Sequence, residues 1–277
     1  MHAVFLDQQT FSQSISLTAI KSNVTSLQSY QLTSPDEVVD RCRDAEIIIS
    51  NKVVLNSETL SQLPHLKLIC IAATGSNNVD LSAARKLGIA VTNVSGYAQT
   101  SVAQYVFAQL LAYFSQTQHH NDNCKQGLWQ QSETFCIHGK GSVELAGKTL
   151  GLIGYGSLGK AVEKLAKAFG MQVLIAERQH QKTLRSGRTS FSEVIKKADV
   201  LSLHCPQTAE TEQLINENIL MEMKTSAMLI NTARGAIINN QELHHALKTK
   251  QIAFAVLDVL EQEPPPADHL FFTEPLN

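Results

Sequence analysis

The segment Gly154-Tyr155-Gly156-Ser157-Leu158-Gly159 follows directly on the apolar run KTLGLI and leads directly into KAVEKLAKAF, whose apolar residues recur at helical spacing. A strand that turns through glycines into a helix is the start of a doubly wound βαβ unit, and this context turns an otherwise weak GxGxxG into a specific signal. Gly154 permits the tight turn, Gly156 lets the backbone approach a pyrophosphate, and Gly159 lets the helix pack closely on the strand. Free N–H groups and the positive end of the helix dipole then hold the phosphates. The motif therefore predicts a dinucleotide site.

The next apolar strand, MQVLIAE, ends in Glu177. A carboxylate there accepts hydrogen bonds from the adenosine ribose hydroxyls and repels a 2′-phosphate, which favours NAD over NADP. Arg178 follows immediately and argues the other way, because an arginine can meet that phosphate.

The rest of the chain fits this frame. AVFLD near residue 5, AEIIIS (45–50), LKLICIA (66–72) and IAVTNV (89–94) read as buried strands with helical sequence between them. SPDEVVDRC reads as a capped helix start, with Ser34 as N-cap, Pro35 at the first helical position and Glu37 completing a capping box. A long helical pattern, TSVAQYVFAQLLAYFSQ, starts at Thr100, and a polar stretch, Gln118 to Ser142, follows it. A second series then alternates: KTLGLIG, VLIAE, ADVLSLHC, AMLINTA and FAVLDVL. The fold expected is α/β, with two Rossmann-like or flavodoxin-like domains built on parallel sheets. A hinge near 95–101 divides residues 1–98, an incomplete flavodoxin-like substrate domain, from 99–277, the NAD-binding Rossmann domain.

Composition narrows the class. The chain has 277 residues, is 43% hydrophobic and 17% charged, and carries a net charge of -2 with the signs mixed, which excludes a nucleic-acid footprint and an attraction to anionic membranes. No stretch reaches the roughly 18 uninterrupted apolar residues of a membrane span, and MHAVFLDQQT has no leader pattern. Five cysteines without paired spacing fit neither a disulfide framework nor a zinc site, and no metal site is expected. The setting expected is a reducing cytoplasm.

Three more segments suggest chemistry. In Ala72-Ala73-Thr74-Gly75-Ser76-Asn77-Asn78-Val79-Asp80, small residues between a strand and a helix near Asp80 leave N–H groups free for a carboxylate, although a plain βα loop reads the same way. Asn231-Thr232-Ala233-Arg234-Gly235 ends the strand AMLI, and Arg234 is suited to a two-pronged contact with a carboxylate and a carbonyl oxygen. FAVLDVLEQEPPP places Asp258 at a strand end and Glu263 before a proline run.

Taken together, ATGSNNVDLSAARKLGIAVTNVSGYAQTSVAQ, GLWQQSETFC, ELAGKTLGLIGYGSLGKAV, LHCPQTAETEQLIN, NTARGAIIN and LDVLEQEPPPAD resemble the D-isomer-specific 2-hydroxyacid dehydrogenases, in particular their glycerate dehydrogenase (hydroxypyruvate reductase) branch. The resemblance implies reversible hydride transfer between NADH and a small 2-oxo acid. It implies that Arg234 binds substrate carboxylate and carbonyl, that Glu263 pairs with a catalytic histidine, and that Gly75 and Ser76 donate to the substrate carboxylate. It sets Ser157, Leu158, Glu177, Cys205, Pro206, Thr232, Ala233 and Asp258 around the cofactor, with Gly154, Gly156 and Gly159 beneath the phosphates. It also implies a homodimer through the long helix starting near Thr100. Formate dehydrogenases of the same superfold carry glutamine where this chain has Glu263.

The family's histidine follows that glutamate by about twenty residues, in a segment resembling T-P-H-x-A; the sequence ends at EPLN, where that segment is expected to begin. On this reading the general acid and the C-terminal return element are missing and turnover is impaired, at a cost of about 10²–10⁴ in rate. The alternative is an NAD-binding fragment or pseudoenzyme. His269 comes too soon after Glu263 to replace the acid, His204 reads as structural or cofactor-adjacent, and His119, His120, His244 and His245 read as solvated.

Overall fold

The computed structural model describes residues 1–139 and 141–273. Two compact units divide between Tyr97 and Ala98. The expected α/β architecture with two parallel sheets is present.

The first unit contains strands β1 (His2–Phe5), β2 (Ser26–Ser29), β3 (Ile47–Ser50), β4 (Leu68–Ile71) and β5 (Ala90–Asn93), paired in the order β2-β1-β3-β4-β5. Short helices α1 (Thr18–Lys21), α2 (Val38–Cys42), α3 (Ser57–Ser61) and α4 (Leu81–Lys86) connect them. β3 is buried along its length because strands and helices surround it; Ile48, Val4 and Ile69 pack to one side, Ala3, Ile47 and Ile49 to the other. β5 departs from the expected burial: it is an edge strand, largely exposed, because only β4 flanks it. β2 has no counterpart in the sequence reading, since SLQS is polar, which an edge tolerates. Glu37 accepts from the Ser34 N–H at 3.0 Å, as the capping box requires, but the first turn, Pro35–Glu37, is a 3-10 turn before α2.

The second unit begins with α5 (Gln99–Ser115) and α6 (Thr117–Lys125), the latter inside the stretch read as merely polar. Strands β6 (Thr149–Ile153), β7 (Gln172–Ile175), β8 (Val200–Leu203), β9 (Met228–Asn231) and β10 (Phe254–Leu257) pair in the order β10-β9-β8-β6-β7. Helices α7 (Ser157–Ala168), α8 (Phe191–Lys197), α9 (Glu217–Glu222), α10 (Asn240–Lys248) and α11 (Leu270–Thr273) complete the unit. Side chains alternate across this sheet: Leu150, Leu152, Val200, Met228 and Ile230 pack with Phe107 and Leu110 of α5 and Val162 of α7. Leu201, Leu203 and Leu229 pack with Val194 and Ile195 of α8. A Cβ on Gly151 would lie 2.7 Å from Val194, so that glycine sets how closely α8 approaches the sheet. Among the described residues no helix is long and apolar enough to cross a membrane.

Candidate active site

In the second unit β6 lies between β7 and β8, so the chain leaves its first strand for one neighbour and returns on the other side. The crevice at such a switch point, beyond the carboxyl ends of the strands, is where open α/β sheets bind ligands. The strand ends are in register: Ile153 pairs with Leu203, Leu203 with Asn231, and Asn231 with Leu257. The residues that follow them, Gly154, His204-Cys205-Pro206, Thr232-Ala233-Arg234 and Asp258, therefore share one edge, and Glu177 follows β7 on the same edge.

The three glycines of the turn differ. Gly154 has φ +93°, and a Cβ there would lie 2.4 Å from the Cys205 nitrogen, so the turn is pressed against the end of β8. A Cβ on Gly159 would lie 2.5 Å from the Gly154 carbonyl oxygen, so the glycine lets the first turn of α7 close onto the loop. Gly156 faces open space, with nothing within 4 Å of a Cβ. A cleft of about 540 Å³ opens there, lined by Gln99, Thr100, Gly156, Ser157, Lys160, Ala161 and Lys164. The amide end of a 12-residue helix, an unfilled approach at glycine and two lysines one helical turn apart suit a pyrophosphate. Gln99, Thr100 and the lysines were not singled out from sequence; Lys160 and Lys164 carry a signal, the i, i+4 spacing behind the motif.

Glu177 is not a free acceptor. Its side chain is buried; Oε1 accepts from the Arg178 N–H at 2.9 Å, and Oε2 from the Arg185 N–H at 3.1 Å and Arg185 Nε at 2.8 Å. The Arg185 guanidinium, with these N–H groups, holds its carboxyl well below the usual range. Arg185 was invisible in the sequence because it reaches back across an aperiodic loop.

At β9, buried Asn231 clamps the turn that presents Arg234: its Oδ1 accepts the Ala233 N–H at 3.0 Å and its Nδ2 donates to the Arg234 carbonyl at 2.8 Å. Arg234 Nη1 donates to the Ala233 carbonyl at 2.7 Å. A Cβ on Gly235 would lie 1.9 Å from the Leu260 carbonyl carbon, so this turn abuts the loop holding Asp258 and Glu263. Asp258 meets the Tyr105 hydroxyl of α5; burial, and then the Asp258 charge, push that hydroxyl's pKa up. Glu263 is exposed, and its carboxylate accepts the Leu260 N–H at 3.0 Å.

The Thr232 hydroxyl is buried without a partner among the described residues. Burial pushes the Cys205 thiol up to about 11, so it is not a thiolate nucleophile at neutral pH, and Pro206 beside it is exposed. His204 is buried, with Nε2 against the Ser202 hydroxyl at 2.9 Å, and burial lowers its pKa to about 4. His269 is buried beside Phe271 and Phe272, and its Nδ1 accepts the Phe271 N–H at 3.4 Å. His244 corrects the sequence reading: it is half-buried, 6.1 Å from the Phe271 ring, because α11 covers that face of α10. His119 and His120 are likewise half-buried, against each other, while His245 is exposed.

In the first unit, Gly75 and Ser76 lie in the loop between β4 and α4 and donate no backbone hydrogen bond among the described residues. Asn78 ties this loop to its neighbour, donating to the Val53 carbonyl at 3.1 Å, and Asp80 caps α4 by accepting the Ala83 N–H at 2.9 Å. No group of three or more His, Cys, Asp and Glu able to hold a metal exists among the described residues. Residues 274–277, where the family's histidine segment is expected to begin, lie outside the described residues.

A glycine turn at the switch point of a parallel sheet, with an acid after the second strand and an arginine after the fourth, defines a nicotinamide-dinucleotide oxidoreductase. The family profile "D-isomer specific 2-hydroxyacid dehydrogenase, NAD binding domain" matches residues 107–276. A glycerate dehydrogenase of Methylorubrum extorquens is 39% identical over 264 residues, covering 95% of this chain and 82% of the relative. A hydroxypyruvate reductase of Blautia hydrogenotrophica is 35% identical, covering 86% and 75%. The crystal structure of a D-lactate dehydrogenase from Aquifex aeolicus with NAD and lactic acid superposes with a TM-score of 0.80 at 31% identity, covering 94% of this chain and 77% of that one. The chain belongs to the D-isomer-specific 2-hydroxyacid dehydrogenase family, and its cofactor is NAD.

Proposed function

We propose that the chain reduces a short 2-oxo acid of the hydroxypyruvate and glyoxylate type to the D-2-hydroxy acid, with NADH as hydride donor. One observation carries this: the register Ile153–Leu203–Asn231 puts the open glycine turn and the Arg234 turn on one strand-end edge. Related glycerate dehydrogenase and hydroxypyruvate reductase chains suggest the substrate class.

Bound NADH supplies a hydride to the carbonyl carbon. Arg234 grips the substrate carboxylate and carbonyl oxygen and stabilises the charge that grows on that oxygen, an effect of about 3–4 kcal/mol in comparable sites. Gly75 and Ser76 offer backbone donors to the carboxylate. Gly154, Gly156, Ser157, Leu158 and Gly159 hold the pyrophosphate, Glu177 marks the adenosine-ribose end, and Cys205, Pro206, Thr232, Ala233 and Asp258 line the remainder of the cofactor. Glu263 is assigned to orienting an imidazolium that protonates the alkoxide. The protein is further proposed to be cytoplasmic and to dimerise through α5, whose exposed positions Ala108 and Ala112, one helical turn apart, are small enough for close helix approach.

A second reading, a dinucleotide-binding module without turnover, is favoured by the histidines among the described residues: His204 is engaged by Ser202, and His269 packs against Phe271 and Phe272. Titration with NADH, together with NADH oxidation in the presence of hydroxypyruvate or glyoxylate, separates the two. Turnover that Arg234→Ala lowers by about 10²–10³ supports the first reading. Binding without turnover gives the second, and absence of binding removes both.

A further inference from the structure

The first unit carries a cation that no step of the proposed reduction uses. Lys52 is exposed in the loop after β3. Its backbone N–H donates to the Asp7 carboxylate at 2.6 Å, whereas its ammonium group has no hydrogen-bond or ion-pair partner among the described residues.

Backbone bonds fix the place of this lysine. Asn51, Lys52 and Val53 donate in succession to the Asp7 carboxylate, at 2.9, 2.6 and 3.3 Å. One buried acid thus gathers three consecutive N–H groups, and Lys52 is rooted at a single point on the carboxyl edge of the sheet. The loop after β4 is laced alongside. Ser50 pairs with Ile71, and Leu55 forms an isolated parallel bridge with Val79. Residues 51–54 cover this interval on one side and 72–78 on the other, so the longer β4 loop bows outward.

Both flanks of the bow are tied. Thr74 Oγ1 donates to the Val94 carbonyl at 3.0 Å, Asn78 Nδ2 to the Val53 carbonyl at 3.1 Å, and the Leu55 N–H to the Asn78 carbonyl at 2.7 Å. The crest between them holds Gly75 and Ser76, whose N–H groups donate to nothing among the described residues. Counted back from the bridge, Lys52 and Ser76 each precede their bridging residue by three positions, so the lysine is rooted beside the crest. The acids at this edge are engaged: Asp7 by the β3 loop, and Asp80 by the Ala83 N–H at 2.9 Å. What remains is a patch of donors. Gly75 and Ser76 are already assigned to the substrate carboxylate, and the ammonium, a compact charge with three donors on a flexible stem, is left for another oxygen of the ligand.

We infer that Lys52 is a specificity-determining residue: its ammonium donates to an oxygen carried on C3 of the substrate, so that the first unit favours a 3-hydroxylated 2-oxo acid over its 3-deoxy counterpart. The inference rests on the 2-oxo acid reading of the site.

Calorimetric titration of the full chain saturated with NAD+ tests it, because the oxidised cofactor has no hydride to give and binding is read without turnover. Hydroxypyruvate and pyruvate differ by the C3 hydroxyl alone. Hydroxypyruvate is expected to bind about tenfold or more tightly than pyruvate, the effect of one hydrogen bond to a charged donor. Lys52→Met keeps an unbranched stem and removes the donor, so the ratio should fall to about one. Lys52→Arg, which restores a cationic donor, should recover part of it. The Lys52 side chain is exposed and holds nothing in place, so both variants should unfold in urea as wild type does and remain interpretable. Equal binding of the two acids by the wild type overturns the inference, and so does a hydroxypyruvate preference that survives Lys52→Met. Either result leaves the 2-oxo acid reading standing, since both acids still bind. Binding of neither acid overturns the reading and the inference together.

Discussion

The two sheets have the same topology and opposite chemistry at the same place. Counted from its own first strand, each unit pairs its strands in the order 2-1-3-4-5, so β1 and β6 both stand at a switch point. After β6 comes a glycine turn that opens onto a 12-residue helix and a cleft. After β1 come Leu6 and Asp7, then a 3-10 turn of three residues, Gln8–Thr10. Asp7 is buried, and its carboxylate accepts the N–H groups of Asn51 at 2.9 Å and Lys52 at 2.6 Å. The crevice of the first sheet is thus closed by an acid that gathers the backbone of the β3 loop, whereas that of the second is left open by Gly156. Topology creates the crevice, and two or three residues after the first strand decide whether it binds an anion or repels one.

If that account is right, filling the second turn does the most damage. Gly154→Ala adds a Cβ at 2.4 Å from the Cys205 nitrogen and the His204 carbonyl carbon, at a φ of +93° that alanine avoids. The expected loss is about 4 kcal/mol or more, with NADH binding abolished, because backbone must shift. Urea denaturation reads the stability; a variant as stable as wild type would show that the turn is not pressed against β8.

The units should also part company in acid. His204 has a folded pKa of about 4 against an ordinary 6.5, so the native state resists a proton that the unfolded chain accepts. Stability is full above about pH 6.5 and falls as pH drops towards 4, by up to about 3 kcal/mol. In the first unit, His2 is only half-buried and His65 is exposed. Hydrogen-exchange protection factors, which correct for the intrinsic slowing of exchange in acid, should therefore fall between pH 7 and pH 5 more in β8 than in β3, and His204→Gln should flatten the difference. An equal fall in both strands removes His204 from the account.

How much of this was legible beforehand follows from the range of each interaction. The buried strands β1, β3, β4, β6, β8 and β9 show as short apolar runs, and the glycine turn shows because its three constraints fall within six consecutive residues. The polar edge strand β2 and the exposure of β5 did not show, since an edge needs no apolar pattern. Arg185 on Glu177 and Asp7 on the β3 loop were hidden for another reason: each joins segments that nothing periodic connects, so only the folded backbone reveals them. The partner of Asp258, Tyr105, was concealed inside a helix whose apolar spacing already accounted for it.

A smaller effect tests the first crevice. Asp7→Asn keeps the shape but replaces one accepting oxygen with an NH2 that faces N–H donors at Asn51 and Lys52. The expected cost is about 2 kcal/mol, confined to the first unit, with NADH affinity unchanged. An altered NADH affinity would mean that the β3 loop acts on the second unit's crevice, and the two switch points could not be compared as independent sites.

The smallest stability effect is the most discriminating. Gly156 has φ -84° and ψ -156°, which alanine adopts freely, and an added Cβ meets nothing within 4 Å. Gly156 is also the N-cap of α7, where alanine is the poorer cap, so Gly156→Ala should cost about 1 kcal/mol. Yet the methyl group projects into the space through which a pyrophosphate reaches the amides of Ser157 and Leu158, and NADH should bind about tenfold or more weakly. Neighbouring glycines in one motif would then fail in opposite ways: Gly154→Ala through the fold, Gly156→Ala through the ligand. Calorimetry and urea denaturation on both variants separate these. Were Gly156→Ala to bind NADH as wild type does, the open space at the second switch point would not be where phosphates enter, and the contrast with Asp7 would reduce to packing alone.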